Sequence, residues 1–274
     1  MPTARLQATL ATPTAAACAA GSGALYALGF CGFDQHLLAW LCLAPLLVAL
    51  DRHATTPRQA LGLAWLAGLV AHLGVYTWLI YMLRHFAYLP WALSILGYVL
   101  LCLAQSVLFA AFGWLYFVGV RAWGAAGWIW APVCMVLCEW RVPALFPSYL
   151  ANSQYRTLQV IQGCELWGVL GLTFLLTLCS AVAAGVVAQL RRRAPWRWQP
   201  VAALALLVCG NAAFGSWRLR SLQAEQDAPD GKQVRVGLVQ TNMGIYEKQD
   251  NPAEGLARHR QQSVELEAQG AQLI

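Results

Sequence analysis

Apolar and polar positions along this chain follow two regimes, which change over near residue 217. Before that point, long apolar runs are separated by short polar breaks. A bilayer core accepts a helix of about 20 apolar residues. Seven runs qualify as candidate spans: 8–30, 37–50, 60–83, 89–120, 125–140, 167–190 and 200–217. The second is short for a full crossing, which predicts tilt or support from Phe33. After residue 232 the period shortens. VRVGLVQTN alternates apolar and polar residues, as a half-buried strand does. Asn251, Pro252 and Glu254 mark a helix start. Gly270 closes that helix, and AQLI opens a second extended run. The pattern predicts a strand–helix–strand unit, with the 274-residue sequence stopping inside its second strand. A parallel pair of this kind buries both faces and calls for further strands and helices.

Composition and charge sharpen this division. The chain is 59% hydrophobic and 11% charged, against about 25% charged residues in a soluble domain. Up to Trp217 it holds eleven Arg, four acidic residues and no Lys; from Arg218 onward seven basic residues face eight acidic ones. The net charge of +6 therefore belongs to the membrane part and reports loop topology. With the N-terminus inside, the inside segments hold Arg5, Arg52, Arg58, Arg121, Arg191, Arg192, Arg193 and Arg197; the outside loops hold Arg84, Arg141 and Arg156. The positive-inside rule thus predicts an inside N-terminus and, after seven crossings, a C-terminal unit outside the cytoplasm. Scattered arginines offer no basic face, so nucleic acid is not an expected partner.

The nine cysteines all lie at or before Cys209 in apolar surroundings, form no C-x-x-C pair, and read as packing residues. No metal-ligand spacing and no Gly-rich phosphate loop occur, so neither metal nor cofactor is expected. Arg84 and His85 sit at a helix end, where long side chains snorkel. His72 reads as a helix–helix contact. The stretch with most chemistry is 138–171, between the fifth and sixth spans. It mixes Glu139, Arg141, Asn152, Gln154, Arg156 and Glu165 with aromatic and proline residues. Ionisable groups near membrane depth are costly and face a cavity or one another. Two structural roles compete with a functional one: a Glu139–Arg141 pair at a helix end, and Glu165 capping the sixth helix.

Three segments carry a resemblance: LAWLCLAPLLVAL (38–50); LFPSYLANSQY (145–155) with LQVIQGCELWGVLGLTFLL (158–176); and VGLVQTNM, EKQDNPAEG and GAQLI at the end. Together they resemble the apolipoprotein N-acyltransferases. The likeness is strongest at Glu139, Phe146-Pro147, Asn152, Ser153-Gln154, Glu165, Gly168, Gly171 and Val239-Gln240. It implies a membrane α-helical bundle of about seven transmembrane helices, followed by the first βαβ of an incomplete α/β nitrilase-like (carbon–nitrogen hydrolase) domain. It also implies two-step acyl transfer. A cysteine thiolate takes a fatty acyl chain from a membrane phospholipid, and the N-terminal S-diacylglyceryl-cysteine of a lipoprotein accepts it. Such chemistry needs an activated thiol, a general base and a cation near the developing oxyanion. The family supplies these as a Cys–Glu–Lys triad that falls beyond Ile274, so the 274 residues alone are expected to be inactive and to hold no catalytic residue. Expected substrate-binding residues are Glu139, Phe146, Pro147, Asn152 and Gln154, which would shape lipid access, and Lys248 in the soluble part. Two departures stand out. The family often reads Gly-Phe-Pro-Trp where this chain has Leu145-Phe146-Pro147-Ser148, and commonly has Trp where this chain has Gln249.

The expected domains are a transmembrane part over 1–220, a linker over 221–232 and the start of the nitrilase-like domain over 233–274. The expected location is the bacterial inner membrane, with the C-terminal part periplasmic. Two other classes compete: a non-catalytic membrane remnant or scaffold, and a seven-helix transporter or receptor. Neither an internal inverted repeat nor a pair of broken helices supports a transporter.

Overall fold

The computed structural model describes residues 12–124, 126–193, 195–227 and 234–274. The predicted start of the first span at residue 8, Arg5, Ala125 and linker positions 228–232 lie outside the described residues.

Thr12 opens α1 (Pro13–Gly29): its hydroxyl accepts from the Ala15 N–H at 3.1 Å, and Pro13 follows in the first turn. A 3-10 turn (His36–Trp40) and α2 (Ala44–His53) together make the second apolar segment. Thr56 and Pro57 repeat the same start at α3 (Pro57–Val75). The chain breaks at Tyr76-Thr77, inside the predicted third span, before α4 (Trp78–His85). The Tyr76 backbone leaves helical geometry there, and the Thr77 hydroxyl turns back onto the Gly74 carbonyl at 3.4 Å. The fourth span is α5 (Trp91–Gln105) and α6 (Val107–Ala122), meeting at Ser106. The fifth is α7 (Gly127–Arg141). A 3-10 turn (Leu150–Gln154) and the short α8 (Leu158–Ile161) then lead to α9 (Cys164–Arg192) and α10 (Gln199–Gln226).

Among the described residues, four segments are long and apolar enough to cross a bilayer, or five if α3 and the broken-off α4 count as one. The expectation was seven. The described part of α1 has 17 residues and α7 has 15, both below the roughly 20 residues of a standard crossing. The fold is helical and compatible with a membrane bundle.

The described residues divide into two compact units, 12–77 with 97–220, and 78–96 with 221–274. In the first, the neighbours run as a closed ring: α1 packs on α3, α3 on α6, α6 on α7, α7 on α9, α9 on α2, and α2 back on α1. Lipid supplies no hydrophobic drive between helices, so close van der Waals packing of small residues must hold such a ring. Gly23 lets α1 approach the Ala67 carbonyl of α3, and Gly113 lets α6 approach Ala60 and Ala64 of α3. The long α10 is the exception, with only Asn211 and Gly215 buried.

The second unit holds α4, the start of α5, the end of α10, α11 (Ile245–Asp250) and α12 (Pro252–Ala268). Because α10 continues to Gln226, the first residues of the expected linker are helical. No strand forms among the described residues. In place of the expected βαβ unit there is one isolated parallel bridge, Val236 to Leu273, with Gly237 N–H donating to the Leu273 carbonyl at 2.7 Å. Gly270, at φ +86°, turns the chain back from α12 to that bridge. The apolar side chains of this segment stay open, Leu238 to 89%, so little burial holds the pair together.

Packing at Gly113 makes a direct prediction. A side chain there meets Ala64 and comes within 2.8 Å of the Ala60 carbonyl, whereas one at Gly210 meets nothing within 4 Å. Gly113→Val should cost about 1–3 kcal/mol through overpacking. Gly210→Ala should be neutral or stabilising by up to about 1 kcal/mol. Melting in detergent checks both; equal midpoints would remove the close-packing argument.

Candidate functional site

The polar stretch between α7 and α9 is pinned from inside the bundle. Glu139, near the end of α7, is 7% exposed. One carboxylate oxygen accepts the Leu150 N–H at 2.7 Å, and the other accepts the Thr173 hydroxyl at 2.7 Å. The Ala151 N–H reaches the same Thr173 oxygen at 3.4 Å. One side chain thus ties α7, the 3-10 turn after the loop, and α9. A buried carboxylate is tolerated only with such partners. The expected alternative, pairing with Arg141, does not form: Arg141 lies over the Trp140 ring at 4.4 Å.

Gln154 is buried beside it. Its amide nitrogen donates to the His36 carbonyl at 2.9 Å and to the Ser153 hydroxyl at 3.0 Å; its oxygen accepts the Trp40 indole N–H at 3.2 Å. Glu165 sits in the first turn of α9 and receives Arg218 of α10, whose Nε lies 3.0 and 2.8 Å from the two carboxylate oxygens. Three residues later Gly168 takes φ +67°, kinking the helix where a side chain would be strained.

The other half of the loop rests on a polar cradle. The Tyr76 hydroxyl lies 2.6 Å from Ser148 Oγ and 3.1 Å from the Phe146 carbonyl oxygen. Gln105 donates to that hydroxyl at 3.0 Å and to the same carbonyl at 3.1 Å, and accepts the Leu145 N–H at 3.2 Å. Tyr26 donates to the Ser148 carbonyl at 3.0 Å. His72 stacks on Tyr76, with ring centroids 5.4 Å apart, and places Nδ1 3.5 Å from Ser106 Oγ. It is the helix contact expected from the sequence. Leu145 is 72% exposed, and Pro147 is also exposed.

A second cluster lies beyond the 3-10 turn. Arg156 pairs with Asp34 at 3.1 Å, and Tyr155 donates to the same carboxylate at 2.8 Å. The bond to Asp34 raises the Tyr155 phenol above its ordinary value. Cys31 donates to the Asn152 carbonyl at 3.1 Å, and partial burial pushes its thiol up. A raised thiol is the opposite of an activated nucleophile.

Of the six expected substrate-binding residues, the structure brings five together: Glu139 at the end of α7 and the other four on the loop and 3-10 turn that follow it. Glu139 and Gln154 face inward with their polar atoms bonded. Phe146 is half-buried, with its ring tilted against Tyr76 at 6.1 Å. Asn152 is half-buried, and Pro147 is exposed. Lys248 is exposed on α11, in the second unit. Tyr76, Gln105 and Thr173 were not anticipated. Gln105 carried a signal, a lone amide inside the apolar run 89–120; Tyr76 and Thr173 carried none.

Comparison with known proteins follows the same loop. Residues 22–182 match the family model described as the apolipoprotein N-acyltransferase N-terminal domain. An apolipoprotein N-acyltransferase of Geobacter metallireducens (strain ATCC 53774 / DSM 7210 / GS-15) is 31% identical over 229 residues, covering 81% of this chain and 42% of the relative. The chain therefore spans less than half the length of that relative. The family match includes Glu139, the loop and Thr173, and stops before Lys248.

Removing the carboxylate tests the pin. Glu139→Ala leaves the Leu150 N–H and the Thr173 hydroxyl without an acceptor, at about 1–3 kcal/mol each. Glu139→Gln keeps one acceptor oxygen. Limited proteolysis of 142–149 should be fastest in the alanine variant, intermediate in the glutamine variant and slowest in wild type. Indistinguishable rates would mean that Glu139 does not hold the loop.

Proposed function

The chain belongs to the apolipoprotein N-acyltransferase family, and from that membership we propose that it is the membrane platform of an enzyme that N-acylates lipoproteins. The acyl donor is a membrane phospholipid, and the acceptor is the α-amine of an S-diacylglyceryl-cysteine. In the first step a thiolate attacks the donor's ester carbonyl, forming a thioester and releasing the lysophospholipid alcohol. In the second, the amine attacks the thioester, an amide forms, and the thiol is restored. In this proposal these 274 residues, which span less than half of the relative's length, do not supply the thiol, base and cation of the chemistry. The cysteines here support that assignment: four of them are buried, and Cys31 has a thiol disfavoured for ionisation.

What the chain contributes is a rigid loop at one end of the bundle, and the pinning of that loop by Glu139 is the observation that carries the reading. In this proposal, Phe146, Pro147 and Asn152 shape access for the donor lipid, while Glu139 and Gln154 hold those residues in place. Lys248 contributes a cation from the segment after the bundle. The chain crosses the bacterial inner membrane seven times, with its N-terminus cytoplasmic and its C-terminal segment periplasmic. Residues 233–274 begin a nitrilase-like domain. The single parallel bridge and the αL turn at Gly270 support that assignment, because they have the strand–helix–strand order.

Acyl transfer from a labelled phospholipid to a diacylglyceryl-cysteine peptide, in vesicles, tests the function. Protein from the whole reading frame should transfer; residues 1–274 alone should not. Transfer by the shorter form would place the chemistry in this chain, and no transfer by the longer one would refute the activity. For orientation, Gln226→Cys in intact spheroplasts, with Cys31 and Cys209 removed, should react with a membrane-impermeant maleimide. Labelling only after lysis would reverse the topology.

A further inference from the structure

At the end of the bundle away from the loop, a cavity of about 510 Å³ opens between α6, α7, α9 and the start of α10. Along α7, from Gly127 beside this cavity to Glu139, the helix rises about 18 Å. The cavity is therefore distinct from the loop region. Its inner wall is apolar: Val120 of α6, with Ala181, Val182 and Gly185 of α9. Its mouth is polar: Gln189, Arg192 and Arg197. Between Ala181 and Arg192 the wall rises about 16 Å. That is deep enough to take apolar chain as well as a headgroup.

The electrostatics at the mouth favour an anion. Arg197 donates its backbone N–H to Gln189, but among the described residues neither the Arg192 nor the Arg197 guanidinium has a hydrogen-bond or ion-pair partner. Arg52 and Arg191 flank an adjoining hollow that shares Arg192. Asp51 is the acidic residue in the lining. It accepts the Tyr116 hydroxyl at 3.0 Å, and Arg121 holds its backbone carbonyl at 3.2 Å. Two exposed guanidinium groups over an apolar shaft, with Asp51 answering the Arg192 charge only through space, match a phosphodiester with an attached acyl chain. Basic pockets between membrane helices take such headgroups.

We propose that this cavity binds an anionic phospholipid, its headgroup phosphate between Arg192 and Arg197 and an acyl chain along the α9 wall at Gly185. The lipid is a resident ligand, separate from the acyl donor, and it closes the ring where α6, α7 and α9 leave space. On the proposed orientation this end is cytoplasmic, but the inference does not rest on orientation or on the acyltransferase reading.

Gly185 offers a test that spares the folded core, since a side chain added there meets nothing within 4 Å and projects from the cavity lining. The full chain is placed in nanodiscs of equal phosphatidylglycerol and phosphatidylcholine, and retained lipid is counted by native mass spectrometry. Wild type should keep phosphatidylglycerol selectively. Arg192→Gln with Arg197→Gln should lower that retention about tenfold or more. Gly185→Leu should lower it with every charge intact. Arg193→Gln, outside the lining, should change nothing, and millimolar inorganic phosphate should not displace the lipid. Equal retention of the two lipids, or full retention by Gly185→Leu, would overturn the proposal. Displacement by phosphate would do the same, marking a site for a free anion.

Discussion

A carboxylate carried at the end of an apolar helix is tolerated only if the protein supplies hydrogen-bond donors in place of water. Glu139 meets that demand with one backbone N–H from the loop turn and one hydroxyl from the next long helix. Satisfying the charge and closing the loop are therefore the same event. The chain cannot lift the 3-10 turn off α9 without stranding a buried carboxylate. This converts a long irregular connection, which would ordinarily be mobile, into a fixed surface. Gln154 extends the same logic to the second apolar segment, where it meets a backbone carbonyl and an indole N–H. The Tyr76–Gln105 cradle does so for residues 145–148. All three anchors are buried polar groups that bond to backbone and side-chain partners together, so the geometry depends on residue type at those partners as well as on helix placement.

That placement rests on small residues. Gly23 and Gly113 bring α1 and α6 close to α3, and the ring of helices closes through α2 and α9. With dispersion the main force between helices in lipid, close approach replaces burial from water as the organising term. The anchors described above require such approach, because hydrogen bonds of 2.6–3.2 Å leave no tolerance for a helix that packs at a wider spacing.

How much of this the residues announced beforehand follows from the same physics. Hydrophobic runs located the helices well, since length and apolarity are properties of local sequence. The break at Tyr76-Thr77 was not legible. Both flanks are apolar, and what ends α3 is backbone geometry at Tyr76. The extension of α10 through Gln226 was missed for the converse reason: polar residues that read as a linker also suit a solvated helix. Glu139, Asn152 and Gln154 stood out as polar groups against an apolar background, whereas Phe146 and Pro147 were picked out by the family resemblance alone. Their individual roles were not legible. Burial and partner choice depend on Thr173, Trp40 and His36, which are distant in sequence and ordinary in type. The strand–helix–strand pattern produced its helix, its Asn251-Pro252 start and its Gly270 turn, yet only one bridge of the sheet. A strand is not a local object, and a parallel pair with no third neighbour has too little buried surface to extend its ladder.

The weakly packed α10 connects these observations. It is held to the rest of its unit through a narrow set of contacts: Asn211 to the Val160 carbonyl at 3.0 Å, Gly215 against the Gln159 carbonyl, and Arg218 to Glu165. All three partners lie in the short stretch 159–165, directly after the turn that Glu139 pins. The helix that leads towards residue 227 is thus indexed against the loop, while its remaining surface faces outward. A side chain at Gly215 would clash with the Gln159 backbone, and loss of Arg218 would leave Glu165 without the guanidinium that anchors it. A polar segment at one end of an apolar bundle in this way sets the register of the helix that follows it in the same unit.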